Sequence, residues 1–448
     1  MSNSTLLQAA QRIVVPRVVL VLSTIVLFAT LQSCGGGGGS DPPPSPRLAK
    51  SGSLDTEFGV NGVALIVPYP LGDSNRFTDV LPMADGGLLL GGSYQVHGLV
   101  GYSANWFALR LDAAGRRDPA FGSGGIATYG VDPFAAVALS HIRTDNLGQI
   151  LFIGQHCRAI LEQCGPNDVG QTQYAIEVAR FSERGTFDAG YGTSGLFSKL
   201  GYRARPLDAV VQDDGKLVVY TTLGGEAAHS PATETWFRVT RDGQLDADFP
   251  AFPADTVPLT GTYPVGGPFN VKLFREPDGK LMIMSQRTIA RFASNGELDT
   301  RFGAFGWMSF ARDLVDVAVS PSNIFTVVSR ETSEGTVTRQ LLQLQPQGIP
   351  VHGIVSNLTE LGTARETSVA MQADGRILIA GISGGSVFVA RRRTDGGADT
   401  TFGTGGNGVV LTPLGTEVTS AQLVVDAAGR IVVAGMADSK LYVVRYLQ

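Results

Sequence analysis

Short apolar runs, separated by polar turns, recur along most of the chain with the alternation typical of β-strands. Residues 79–83 and 88–90 form two such runs around Asp85-Gly86. Asp-Gly between apolar runs predicts a tight hairpin, because both turn residues need a positive φ. A further run, such as residues 106–111, follows the hairpin, and a short one, such as residues 62–66, precedes it. Each unit therefore predicts four antiparallel strands, with the short run as the first and innermost.

This unit occurs seven times. Its anchor is a glycine, with an acid three residues later and a large aromatic ring six residues later. Only the sixth copy departs, with Val351 and Ile354 in place of the acid and the ring. Repeats of about 48 to 70 residues with four strands each, and no amphipathic helix, predict an all-β, seven-bladed β-propeller. A β-solenoid or a row of small sandwiches is the alternative. The anchors are Gly52, Gly115, Gly185, Gly243, Gly296, Gly348 and Gly396.

An arginine stands five residues before every anchor except the sixth, where Gln343 replaces it just as Val351 replaces the acid. Because arginine and aspartate are lost together, we predict one structural, bidentate ion pair per blade junction. A ring of ion-binding sites is the alternative, which the cancelling charges disfavour. The predicted pairs are Arg47 with Asp55, Arg110 with Asp118, Arg180 with Asp188, Arg238 with Asp246, Arg291 with Asp299, and Arg391 with Asp399.

The repeats resemble a known family. The pattern G-x-L-D-x-x-F-G-x-x-G in residues 52–62 and 296–306, and the hairpin core of residues 371–381, are similar to the delta-60 repeat family of bacterial β-propellers. The similarity extends over residues 47–448. It implies the propeller fold but no assigned chemistry. We expect the C-terminal strand at residues 442–446 to close the ring of blades.

The N-terminus has the pattern of an export signal. Residues 1–33 carry two arginines, no acid and an apolar stretch at 18–31 that is too short to span a bilayer. The sequence Leu31-Gln32-Ser33-Cys34 resembles the lipobox of bacterial lipoproteins, which implies a lipid on Cys34 and the membrane as a partner. By the same resemblance, Gly35 favours the bacterial outer membrane. Residues 34–46 would be a Gly- and Pro-rich tether, and an ordinary signal peptide is the alternative.

The cysteine content and the net charge limit the classes of bond and of binding partner that the protein can have. Cys157 and Cys164 lie in one long insertion, and outside the inner membrane they are expected to form a disulfide, with a metal pair as the alternative. The formal net charge of −5 and the lack of a long basic run argue against nucleic acid.

The sequence shows no catalytic motif. Its five histidines fall in different units, and no metal or cofactor is expected. The strands taken as innermost, at residues 62–67, 125–129, 195–200 and 408–412, are largely apolar. We therefore expect a binding or scaffold lipoprotein that is not an enzyme. The alternatives are a propeller hydrolase with a metal in the central channel and a purely structural envelope component.

Loop lengths indicate an interaction face. The long, variable loops are expected on one face and the regular Asp-Gly turns on the other, and binding residues concentrate on loops held by a rigid scaffold. The variable face is thus predicted to bind an unknown protein or glycan. Its candidate residues are Tyr94, His97, Tyr102 and His156.

Overall fold

The computed structural model describes residues 50–67, 74–98, 101–130, 137–157, 173–224, 232–257, 271–333, 336–358 and 365–448. They all belong to one unit that extends from Ala49 to Gln448. The predicted targeting segment, the predicted tether, Arg47 and Cys164 lie outside these ranges, as does the side chain of Cys157. Within the ranges, no helix has the length and apolar character needed to cross a membrane.

The described residues form 26 β-strands. In chain order they are β1 (Val63–Ile66), β2 (Ser74–Pro82), β3 (Leu88–Gly98), β4 (Gly101–Leu111), β5 (Ile126–Gly130), β6 (Val137–Thr144), β7 (Ile150–Cys157), β8 (Gln173–Phe181), β9 (Leu196–Val211), β10 (Leu217–Gly224), β11 (Ala232–Val239), β12 (Val271–Arg275), β13 (Leu281–Ser285), β14 (Thr288–Phe292), β15 (Trp307–Ser309), β16 (Asp313–Val319), β17 (Phe325–Ser333), β18 (Thr336–Leu344), β19 (Pro350–Asn357), β20 (Arg365–Met371), β21 (Ile377–Ser383), β22 (Ser386–Arg392), β23 (Val409–Pro413), β24 (Val418–Val425), β25 (Ile431–Ala437) and β26 (Lys440–Tyr446).

These strands pair antiparallel in seven blades, which confirms the predicted propeller. Blade 1 is β2 to β5, blade 4 is β12 to β15, blade 5 is β16 to β19 and blade 6 is β20 to β23. The long strand β9 serves two blades: its first half pairs with β8 in blade 2, after β6 and β7, and its second half pairs with β10 in blade 3, before β11. Blade 7 is β24, β25, β26 and β1.

The predicted strand order within a blade is wrong by one strand. The short run after each Phe-Gly element is the fourth and outermost strand of the preceding blade, as the pairing of Leu109 with Ile126 shows. The reason is local: Gly122 and Gly125 adopt positive φ, which turns the chain back along the strand it has just left. The innermost strands are instead β2, β6, the second half of β9, β12, β16, β20 and β24.

The two chain ends close the ring together. The C-terminal strand β26 is the third strand of blade 7, and the N-terminal strand β1 pairs with it as the outermost one, with Leu65 opposite Tyr442. The prediction that the C-terminal strand alone completes the ring is therefore wrong. Pairing β1 onto β26 covers a strand edge that would otherwise be exposed.

The hydrophobic core lies between the blades. One cluster, for example, joins Leu90 and Phe107 of blade 1 to Val432 and Leu441 of blade 7. The ring of each Phe-Gly element fills such an interface, as Phe58 does with no exposed surface. This packing holds the innermost strands in a fixed circle around the propeller axis.

Candidate functional site

One position on each innermost strand forms a polar ring around the axis, which we call the axial ring. It stands seven residues before the turn residue of positive φ that closes each first hairpin. In each blade, the ring residue on the innermost strand pairs with the second-strand residue that stands five places after that turn residue. All seven ring residues therefore lie at the same level along the propeller axis. The members in blade order are Asp79, His141, Asp208, Lys272, Asp316, Ser368 and Gln422.

A β-bulge directs several of these side chains. The pairing register shifts immediately before Asp79, His141, Asp208 and Asp316. An extra residue at a bulge bends the strand and re-aims the side chain beside it. These four ring residues thereby turn from their own blade towards the next one.

Five members of the axial ring fasten one blade to the next, in an arrangement we call the blade clasp. Asp79 Oδ2 accepts a hydrogen bond from the backbone N–H of Ile142, at 3.0 Å, one residue after the ring position of blade 2. The same bond recurs around the circle. It joins Asp208 Oδ2 to Leu273 N (2.8 Å), Asp316 Oδ2 to Val369 N (2.7 Å), Ser368 Oγ to Leu423 N (3.3 Å) and Gln422 Oε1 to Val80 N (2.8 Å).

His141 and Lys272 take no part in the blade clasp. An ammonium group has no lone pair to accept a bond, and His141 Nε2 lies 3.0 Å from the carbonyl oxygen of Leu207, to which it donates. In the blade that follows each of them, the ring aspartate accepts the hydrogen bond from the next backbone N–H group of its own strand. Asp208 Oδ1 accepts from Ala209 N at 2.7 Å, and Asp316 Oδ1 accepts from Val317 N at 2.8 Å. These two positions therefore contact the next blade through the carbonyl oxygen of Leu207 and the carboxylate of Asp316, and not through a backbone N–H group.

Arg143 links two of the ring aspartates. Its Nη1 lies 2.9 Å from Asp79 Oδ2 and its Nη2 lies 2.5 Å from Asp208 Oδ1. His141 Nδ1 is 3.3 Å from Asp79 Oδ2 and 3.8 Å from Asp208 Oδ1. On the far side of Asp208, the ammonium of Lys272 contacts Asp316 Oδ1. Acidic and basic groups thus alternate along the wall from blade 1 to blade 5.

These contacts set the charge states. Burial by itself raises the pKa of Asp79, but the positive charge of Arg143 and hydrogen bonds from His141 and Gln422 outweigh it, so the pKa lies below its ordinary value. Burial likewise lowers the pKa of Arg143, and the charges of Asp79 and Asp208 more than reverse the effect. Both groups are therefore ionised throughout the neutral pH range.

The axial ring borders a cavity of about 750 Å³ that extends towards the face with the Asp-Gly turns. Its wall includes Asp79, Arg143, Asp208, Lys272 and Asp316. Lys272 is the most exposed of them, with 40 % of its side chain accessible. A volume of this size is in the range of small-molecule sites. Within the described ranges, no group of three or more His, Cys, Asp or Glu side chains is arranged to hold a metal ion.

The arginines and aspartates of the repeat lie at the blade junctions, away from the cavity. Arg391 Nε is 2.8 Å from Asp399 Oδ2, and its guanidinium lies 4.7 Å from the ring centre of Phe402. Comparable contacts join Arg110 to Asp118 (3.1 Å), Arg180 to Asp188 (2.7 Å), Arg238 to Asp246 (2.8 Å) and Arg291 to Asp299 (3.0 Å).

Two junctions differ from this arrangement. Asp55 is bound by Arg445 of β26, at 2.8 Å, whereas its predicted partner Arg47 lies outside the described residues. The pairing follows from ring closure, because β26 takes the place that the preceding blade's third strand has elsewhere. At the sixth anchor, Gln343 is buried and donates to the hydroxyl of Thr326, at 3.3 Å, in place of an ion pair.

The candidate interaction residues lie on strands. Tyr94 is only 6 % exposed and packs on Phe107, so its assignment to a surface loop is wrong. His156 lies on β7, 12 % exposed, with Nδ1 3.3 Å from Glu177 Oε1. The reason is that the second and third strands of these blades run longer than their apolar core. The side chains of His97 and Tyr102 lie outside the described part of the chain.

Sequence reasoning missed the axial ring because it placed the wrong strand at the centre. A usable signal was present, since every position seven before the hairpin turn residue is polar. With the correct strand order, that pattern predicts a polar ring.

Comparisons with known proteins agree on the fold. Residues 276–302 and 372–402 match the family model described as Domain of unknown function (DUF5122) beta-propeller, which supports a β-propeller family for the chain. No curated protein matches the sequence. Among solved structures, the polysaccharide lyase Uly1 is similar at 11 % identity over 85 % of this chain and 91 % of that one, with a TM-score of 0.44.

Two further solved structures are similar in fold. The α-L-arabinofuranosidase Arb93A from Fusarium graminearum is 11 % identical over 89 % of this chain and 97 % of that one, with a TM-score of 0.39. Regucalcin, a calcium-binding protein from Agrobacterium tumefaciens, is 11 % identical over 84 % of this chain and 95 % of that one, with a TM-score of 0.33. At this identity the similarity is one of architecture and assigns no reaction to the chain.

The expectation of a protein without enzymatic activity is corrected, because its structural premise is wrong. The apolar strands at residues 62–67 and 125–129 lie at the outer rim of the propeller. The strands that do surround the axis carry aspartate, histidine and lysine.

Proposed function

We propose that this protein is an envelope-anchored β-propeller whose axial channel binds a small, polar, hydroxyl-rich molecule. The observation that carries the proposal is the break in the blade clasp at His141 and Lys272. Five ring positions hold acceptors that the fold uses, and two hold nitrogen groups that the clasp does not use. A few polar groups that converge on a concave cavity are the usual mark of a small-molecule site, and Lys272 lies in the wall of the axial cavity.

The charge balance of the wall supports an uncharged or weakly charged ligand body. Arg143 is matched by Asp79 and Asp208, and Lys272 by Asp316. A wall of alternating, mutually neutralised charges offers both donors and acceptors at short spacing. Hydroxyl groups, which donate and accept, suit such a wall.

Lys272 supplies the first test. Replacing Lys272 by methionine should weaken binding of the channel ligand at least tenfold and change stability little, because Asp316 keeps two backbone N–H donors. The measurement is a thermal-shift screen of neutral and charged sugars and polyols, followed by calorimetry of the hits. Lys280→Met is the matched control, since Lys280 forms an ion pair with Asp278 in the same blade, at the hairpin turn. Equal binding by wild type and Lys272→Met would refute the channel site.

A hydrolase acting in the same channel is the second candidate. His141 lies beside both Asp79 and Asp208, and histidine is the side chain most often used in general acid–base catalysis. Incubating each bound compound with the protein, and following it by mass spectrometry, separates the candidates. Consumption of a compound by wild type but not by His141→Gln would establish the hydrolase. If every compound stays unchanged, the channel is a binding site without hydrolase activity towards those compounds.

The anchoring part of the proposal rests on the N-terminal sequence. Cys34 would carry the lipid, residues 34–46 would form the tether, and the propeller would face the periplasm or the cell surface at the outer membrane. We expect a clickable palmitate analogue to label the wild type but not Cys34→Ala, and the variant to leave the membrane fraction. Cys157→Ala, which alters the predicted disulfide with Cys164, is the control and should remain labelled. Labelling of Cys34→Ala would contradict the anchor.

A further inference from the structure

Below the axial ring, towards the face with the Asp-Gly turns, the inner strands contribute a second level of residues. This level stands two residues after each ring position, and in every blade it pairs with the second-strand residue three places after the hairpin turn residue. We call it the apolar collar, because six of its seven members are hydrophobic. The members in blade order are Leu81, Arg143, Val210, Phe274, Ala318, Ala370 and Val424.

Four collar residues turn part of their hydrophobic surface to the axial cavity. Each of them packs on a hydrophobic cluster between two blades but stays partly exposed. Each also forms part of the cavity wall, beside the axial ring. The fold therefore holds hydrophobic surface in a fixed position that is open to the channel. The four residues are Leu81, Val210, Phe274 and Val424.

Arg143 belongs to the collar by position and to the axial ring by its contacts. Its guanidinium binds Asp79 and Asp208, and its Nε donates to the carbonyl oxygen of Ala209 at 2.6 Å. The cavity thus has a polar level at the ring and a hydrophobic level directly below it. Two residues of a β-strand separate the levels, which is about 6–7 Å, so one small molecule can contact both.

The size of the cavity and the state of its charged groups limit the occupant. A volume of about 750 Å³ is in the range of small-molecule sites and too small for a folded partner. Each ring carboxylate already has a cationic partner in Arg143 or Lys272, so the ring offers hydrogen bonds to a neutral group. The collar favours an apolar group, because covering hydrophobic surface removes it from water.

We propose that the ligand of the channel is amphiphilic: a neutral hydroxylated group at the axial ring is joined directly to a compact apolar group, such as a phenyl ring, on the apolar collar. This inference rests on the proposed channel function and adds the apolar half of the ligand to it. Lys272 and Phe274 show the arrangement on one strand, since residues two apart share a face. The ammonium of Lys272 donates to a hydroxyl group, and the ring of Phe274 packs on the apolar group. Aryl glycosides combine both groups.

Matched methyl and phenyl glycosides test the inference, because they differ only in the group that would reach the collar. The probes are the methyl and phenyl β-D-glycosides of glucose, galactose and xylose. We expect wild type to bind at least one phenyl glycoside at least tenfold more tightly than its methyl counterpart by calorimetry. Tenfold corresponds to about 1.4 kcal/mol, which burial of about 55 Å² of apolar surface supplies.

The double variant Val210→Thr/Val424→Thr should lose most of this preference, because each substitution puts a hydroxyl group of similar size into the collar. The matched control is Val60→Thr/Val67→Thr, which makes the same change at the outer rim, where Val60 is 77 % and Val67 is 45 % exposed. The control should keep the full preference. Leu81→Gln is the second collar variant, to be used if thermal unfolding shows that the first is not folded.

Each other outcome has a distinct meaning. Equal binding of the methyl and phenyl members of every pair would overturn the inference, and the channel function would stand if Lys272→Met weakens both members. A preference for phenyl that persists in the folded collar variants would also overturn it, as would the absence of binding by every probe at tens of millimolar. If Lys272→Met leaves the phenyl glycosides bound while the collar variants lose them, the polar channel site fails and the apolar collar stands.

Discussion

Replacing Asp399 by alanine should lower the free energy of unfolding by about 3–5 kcal/mol, the typical cost of leaving a buried charge without its partner. Arg391 has 2 % of its side chain exposed and Asp399 has 5 %. Without the carboxylate, the guanidinium stays enclosed against Phe402 and next to Arg376, which also contacts Asp399 at 3.5 Å. Urea unfolding at constant pH measures the change.

The matched control is the same substitution at a more open junction. Asp118 has 28 % of its side chain exposed, and its partner Arg110 also binds Asp85 Oδ2 at 2.5 Å. Asp118→Ala should therefore cost only about 1 kcal/mol, as exposed ion pairs do. Equal, small effects of both variants would contradict a clamping role for the repeated arginines and aspartates.

Glu276→Gln should stabilise the protein at pH 8 by about 2–3 kcal/mol and have little effect near pH 4.5. Glu276 is 1 % exposed, and neither carboxylate oxygen has a hydrogen-bond partner among the described residues. Burial raises the pKa of Glu276 to about 7, against the attraction of Arg291, whose Nη1 lies 3.9 Å away.

The sign follows from the protons bound in each state. Between pH 4.5 and 7 the folded protein holds a proton on Glu276 that the unfolded chain has released, so stability falls as pH rises through this range. Glutamine removes that dependence and fits the site, because Gln212 and Gln372 occupy the equivalent positions of blades 3 and 6. Unfolding curves at both pH values measure the effect, with the exposed Glu297→Gln as control. A loss of stability at pH 8 would refute the explanation.

Most of the architecture could be predicted from the sequence. The anchor glycines, the Asp-Gly hairpins and the joint loss of arginine and aspartate at Gln343 and Val351 all reflect contacts within a few residues of one another. Such contacts leave a local pattern, which is why the blade number and the hairpins were predictable. The position of Tyr94 was not, because a strand that continues past its apolar core has no marker at its end.

The axial ring could not be predicted in the same way. The same hairpins are compatible with two assignments of the innermost strand: the short apolar run or the first strand of the hairpin. The sequence of a four-stranded meander does not show which of its two edge strands faces the axis. The pairing of Leu109 with Ile126 decides between them, and it depends on the reversal at Gly122 and Gly125. Once that order is known, Asp79 and its six equivalents move from the periphery to the axis.

By itself, the sequence determined the class of fold, the seven repeats and the pairing of charges at the junctions, because those features depend on neighbours along the chain. Only the tertiary structure decided how the ring closes, which strands face the axis and which charges meet there. Asp79 contacts Arg143 and Gln422, and Asp55 contacts Arg445, from other blades or from the opposite end of the chain. Such contacts exist only after seven blades have packed in a circle, so no local pattern records them.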